Sequence, residues 1–188
     1  STDENQALSA KVMKSIVETN PDKIESLSDQ NKNTMISQTI EAAKNQAEGT
    51  SADEIDLSNT IAEIVTKSDT ATAAEVLKTL EEVSNESESK LSLSVVSNIT
   101  KQENYEEKME ILSVTSPIVE QSIDKLVEKA VNDVSSEEDL ELVTNIVENS
   151  KGTIADKVIN SANKNENNKK KITEVIVNVI QKNPEKAV

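Results

Sequence analysis

Glu81-Glu82, Glu106-Glu107 and Glu137-Glu138-Asp139 are the side chains best suited to chemistry in this sequence. Paired carboxylates perform general acid–base work when they face a shared cleft in environments that push their pKa values apart. These pairs sit instead at expected helix starts or on polar helix faces with lysines nearby, which predicts caps and partners of the helix dipole. Two acidic loops, Asp133–Asp139 and Ser51–Asp56, offer oxygen ligands for calcium. Neither has the alternating acidic ligands, central glycine and terminal glutamate of an EF-hand, and helix capping accounts for both.

The other reactive types are thin. With no His, no Ser–His pair forms and the commonest general base is absent; with no Cys, thiolate nucleophiles and zinc–thiolate sites are absent too. A Ser–Lys dyad has no flanking signature here. Lysine supplies every basic side chain, so bidentate arginine recognition of phosphate is unavailable. The single basic cluster, Lys169-Lys170-Lys171, reads as a solvated loop in a chain of net charge −15. Two isolated glycines make no phosphate loop. Asn85-Glu86-Ser87 and Asn98-Ile99-Thr100 match the glycosylation tripeptide, although Ile99 is expected to be buried. The lone aromatic, Tyr105, is expected to join a loop to the core. The inventory predicts a protein without catalytic, cofactor-binding or metal-ligating residues, and so not an enzyme.

The elements that carry these residues are helices. Apolar residues make up 35% of the chain, fewer than is usual in globular domains, and they are Ile, Val, Leu and Ala with almost no aromatics. Without aromatics to fill wide interior spaces, thin layers between closely packed helices are expected. The spacing predicts helices over 5–19, 21–29, 32–47, 53–67, 70–84, 88–101, 104–113, 117–133, 136–149, 152–163 and 168–182. The clearest is 117–133, where Ile118, Val119, Ile123, Leu126, Val127, Ala130, Val131 and Val134 form one stripe. Asn20-Pro21, Ser116-Pro117 and Asn183-Pro184 each pair a capping residue with a proline suited to the first helical position. Ser51-x-x-Glu54 and Ser135-x-x-Glu138 fit the capping box, and Gly49 and Gly152 sit at helix ends. Leu91, Leu93 and Val95 alternate with serines as a strand would, but their setting predicts helix. Asn163–Lys171 is expected to be a polar loop running into the last helix.

Laid on itself, the chain repeats. Met35, Ile36, Ile40 and Ala47 fall on Ile118, Val119, Ile123 and Ala130, each 83 positions on, and Asp56-Leu57 falls on Asp139-Leu140. Val12-Met13 and Ile16 meet Val95-Val96 and Ile99 at 83, and these meet Val175-Ile176 and Val179 at 80. The expected architecture is all-α: a tandem helical repeat, an α-solenoid or stacked bundle of short antiparallel helices, with about 82 residues and five helices per unit. Unit 1 is expected over 1–87, unit 2 over 88–167, and the start of a third over 168–188, as in a piece of a longer array. The predicted function is a non-catalytic spacer, stalk or scaffold segment at a cell surface or outside the cell, the alternative being a solenoid that binds a protein or peptide. The expected partners are neighbouring repeats, other copies stacked end to end or, in the alternative, another protein. The acidic charge disfavours nucleic acid, and no apolar run is long enough to insert into a membrane.

Overall fold

A computed structural model describes residues 2–50, 55–150, 153–182 and 184. Among them it forms ten α-helices and no strand: α1 (Thr2–Thr19), α2 (Asp29–Ala47), α3 (Leu57–Lys67), α4 (Thr70–Asn85), α5 (Leu91–Thr100), α6 (Tyr105–Thr115), α7 (Pro117–Asn132), α8 (Glu137–Asn149), α9 (Thr153–Lys164) and α10 (Glu166–Lys182). The all-α expectation holds. No described helix is long and apolar enough to cross a membrane.

Most helices start on a side chain that satisfies a free backbone N–H. Asp56 accepts from the Asn59 amide at 3.2 Å, Asp69 from Thr72 at 2.7 Å, Ser116 from Ile118 at 3.2 Å and Ser28 from Asn31 at 3.4 Å. Four local expectations are corrected. Residues 21–29 are not an α-helix but a single 3-10 turn, Pro21–Ile24, anchored by the buried Ile24. The Ser26 hydroxyl closes this turn on the Lys23 carbonyl, and Ser28 begins the next helix as its cap. Asn20 makes no side-chain cap. The capping box at α8 is Ser136 with Asp139, one residue later than the pattern suggested. Finally, the expected loop Asn163–Lys171 is nearly all helical. α9 runs to Lys164 and α10 starts at Glu166, because Asn165 Oδ1 accepts from the Asn167 and Asn168 amides and lysines sustain the helix that follows. The expectations for Ser51, Glu54, Gly152 and Asn183 fall outside the described residues.

α2 ends in a Schellman turn: Thr50 N–H donates to the Asn45 carbonyl at 2.9 Å and Gly49 N–H to Gln46 at 3.1 Å. Gly49 sits at φ +73°, with nothing within 4 Å of where a Cβ would be. Substituting Gly49→Ala therefore meets no clash and costs only the left-handed backbone, about 1 kcal/mol. A urea unfolding curve would register that loss as a lower midpoint.

The helices pack in two rows. α1, α3, α5, α8 and α10 touch in that order, as do α2, α4, α7 and α9. The rows join through the pairs α1/α2, α3/α4, α5/α7 and α8/α9, while α6 lies beside α4, α7 and α9. All extensive packing joins helices no more than three apart along the chain. α5 explains the strand-like alternation of its sequence. Leu91, Ser92, Leu93, Val95, Val96, Ser97, Ile99 and Thr100 are all buried, with α3 and α4 on one side and α7 and α8 on the other. A helix covered on every side needs no polar stripe, so its periodicity is lost. The Ser92 and Ser97 hydroxyls are buried without a hydrogen-bond partner, small side chains that allow close helix approach. The aliphatic core leaves a void of ≈ 10 Å3, about one water's space, lined by residues including Leu80, Val95, Ile99 and Ile123.

Candidate functional site

The acidic loop between α7 and α8 holds the densest set of titratable groups. Asp139 Oδ2 accepts from Lys90 Nζ at 2.6 Å, from the Ser135 and Ser136 amides at 2.8 and 2.9 Å, and from Ser135 Oγ at 3.2 Å. Burial alone would raise the Asp139 pKa, but Lys90 and the two serines hold it below its ordinary value. Asp133 is pushed the other way. Burial raises its pKa despite the Lys129 ammonium at 2.6 Å, and its Oδ2 is buried without a partner. The two pKa values are thus split as in a catalytic pair. Asp139, however, is occupied by the α8 capping box, with its side chain only 6% exposed, and so offers no face to a substrate. Among the described residues no cluster of three His, Cys, Asp or Glu is arranged to hold a metal ion.

Of the remaining paired carboxylates, Glu81 ties helices together. Glu81 receives Lys125 Nζ at 2.9 Å and Ser122 Oγ at 2.7 Å, which fastens α4 to α7. Its pKa is lowered because these donors outweigh the burial that opposes them. Glu82, Glu107, Glu137 and Glu138 are exposed. Glu107, Glu137 and Glu138 stand in first turns, where carboxylates complement the helix dipole.

α6 spans two helix ends. Lys108 donates to the Ser68 carbonyl at the end of α3, and Tyr105 Oη donates to the Asn149 carbonyl at the end of α8 at 2.9 Å. Burial lowers the Lys108 pKa, against the pull of Asp69 and Glu25. Tyr105 is buried and makes the expected contact between a chain turn and the core. Asn104 before it adopts φ 57°, a left-handed position that Asn tolerates better than most residues. Tyr105→Phe keeps the ring packing and removes the bond to Asn149, a loss of about 1 kcal/mol. The check is the unfolding midpoint at constant helical signal.

Surface concavities are open and mixed in polarity. A groove of ≈ 630 Å3 runs along Thr100–Glu107 and Asn149, and another of ≈ 500 Å3 lies between Lys44–Glu48 and Glu86–Lys90. The second includes a hydroxyl on a carboxylate, Ser87 on Glu48 at 2.8 Å, but Ser87 is buried and tied up in joining the end of α4 to the end of α2. Lys169, Lys170 and Lys171 lie exposed on the first turns of α10. Of the glycosylation tripeptides, Asn85 is exposed at the end of α4, but the Ser87 hydroxyl is buried and donates to Glu48 at 2.8 Å. Ile99 and Thr100 are buried in α5.

One feature escaped the periodicity. Ile118, expected on the core stripe of α7, is 65% exposed because the Ser116 cap places it in the first turn, on the outer side. Ile111 and Val114 on α6 are also exposed, so three aliphatic side chains flank the α6–α7 corner. Compared with known families, curated proteins and solved structures, the chain matches no family model, no curated protein and no solved structure.

Proposed function

We propose that this chain is a non-catalytic structural segment, an α-solenoid spacer or scaffold built from a helical unit of about 82 residues. The observation that supports the reading is a recurrence of packing pairs. α1/α2 corresponds to α5/α7, α1/α3 to α5/α8, α2/α4 to α7/α9, α3/α4 to α8/α9 and α3/α5 to α8/α10. These are the correspondences of the 80–83-residue register in the sequence. Each unit then holds two helical hairpins, with the 3-10 turn Pro21–Ile24 or α6 as a lateral fifth element. The Ser68 and Ser150 hydroxyls, which close α3 and α8 on the Ile64 and Ile146 carbonyls, occupy matching places.

Locality of contacts suits a spacer. When each helix packs only on near neighbours, length is set by the number of units and stability by unit and interface terms. The unit boundaries proposed are 1–87, 88–167 and the start of a third at 168. Net charge −15 keeps such a rod soluble and away from anionic partners; a place at or outside a cell surface is part of the proposal. Small-angle scattering of the whole chain tests the shape: an elongated profile is expected, and that of a compact sphere would sink the solenoid.

A further inference from the structure

We propose that the α6–α7 corner is a docking surface for an amphipathic helix with an aliphatic centre and a basic rim. Ile111, Val114 and Ile118 are 43%, 80% and 65% exposed. Ile111 and Val114 are one turn apart on α6, and Ile118 follows across the Ser116 bend at the start of α7. The array does not require these residues. In the repeat register, which rests on the reading above, their counterparts in the first unit are Ser28, Asn31 and the half-buried Met35. At these register positions the first unit has the cap and first turn of α2, with two polar side chains, while the second has the end of α6 and the start of α7, with three large aliphatics on solvent.

Charge selects the occupant. Glu107 and Glu110 stand one turn before Ile111 and Val114 on the same helix, and both are exposed; Glu120, two residues past Ile118 and so on another face of α7, pairs with Lys157 at 3.9 Å. The nearest α6 lysine, Lys108, is turned inward to the Ser68 carbonyl. The patch is thus aliphatic with a carboxylate border along α6. A second copy of a chain of net charge −15 would meet that border with like charge. Three side chains also bury far less than the roughly 1,200 Å2 of a stable interface, so an apolar contact needs opposite charge around it. A helix with leucines on one face and lysines beside them supplies both.

A synthetic amphipathic Leu/Lys peptide titrated into the isotope-labelled whole chain provides the test. The expected result is amide shifts concentrated on α6 and the first turns of α7, with affinity falling about tenfold in Ile111→Ser/Val114→Ser/Ile118→Ser. Leu8→Ser/Val12→Ser, at exposed aliphatic positions of α1, leaves the affinity unchanged. Should the triple variant lose helical signal, Val114→Ser alone, the most exposed of the three, carries the comparison. The proposal is overturned if the peptide does not bind, if shifts spread over the acidic surface, if the serine variants bind as well as the parent, or if light scattering shows the chain dimerising through these residues. None of these results touches the repeat, which scattering tests separately.

Discussion

Leu93→Ala lowers the free energy of unfolding by about 3 kcal/mol, the middle of the range for deleting a fully buried leucine from a core that relaxes only partly. Leu93 is completely buried on α5, the helix that packs against α3, α4, α7 and α8 together. A cavity there is walled by both rows, so it cannot collapse by moving one neighbour. For a chain of this length the midpoint of thermal unfolding falls by roughly 6–12 °C. Leu8→Ala is the contrast. Leu8 is 62% exposed, and its truncation costs less than about 0.5 kcal/mol. Urea unfolding of the two variants gives both numbers. Equal losses would mean that α5 is not the helix on which the two halves of the molecule depend.

Asp139→Ala removes about 2 kcal/mol at neutral pH. About half is the reciprocal capping-box bond that Asp139 accepts from the Ser136 amide, the Ser136 cap itself remaining, and the rest is the hydrogen bonds to Ser135 and to Lys90, which is 43% exposed and so contributes modestly. The sign of the pH dependence follows from the lowered Asp139 pKa. Its contribution is fully present above the pKa of an unfolded aspartate and is lost as pH falls through the lower folded value. Asp133, with its raised pKa, acts in reverse: its charge costs stability above the folded value, and protonation relieves that cost as pH falls. The parent therefore loses stability in acid through Asp139 and regains part of it through Asp133. The Asp139→Ala variant lacks the first effect, while those of Glu81 and Asp133 are common to both proteins, so the gap between them narrows below about pH 4. Unfolding curves across a pH series measure the gap, and one that widened in acid would contradict the assignment.

Helix content was legible because four-residue apolar spacing survives in α4, α7, α8 and α9, each of which buries one face and wets the other. α5 was harder. Its coverage on all sides erases the periodicity, and only its correspondence with Val12, Met13 and Ile16 indicated helix. The pattern misleads where short-range competition decides. Ser26 and Ser28 convert an apparent helix at 21–29 into a 3-10 turn and a cap, and Asn165 shrinks an apparent loop to a one-residue break. Ile118 shows the limit for function. Its spacing from Ile123, Leu126 and Ala130 is that of a core residue, and only the placement of the Ser116 cap turns it to solvent. Exposure of an aliphatic residue depends on which helix lies across from it, and a single sequence does not carry that information.

If the proposed array is extensible, its unit can be repeated without changing how any helix packs. Inserting a second copy of residues 88–167 after residue 167 tests it, since in the 80-residue register residue 88, just ahead of α5, takes the place of residue 168 in the first turn of α10. A soluble monomer with the same helical signal per residue is expected. Its maximum dimension in small-angle scattering grows by roughly 20 Å, two helix-packing distances of about 10 Å each. A chain that loses helicity, or that enlarges equally in all directions, would contradict it.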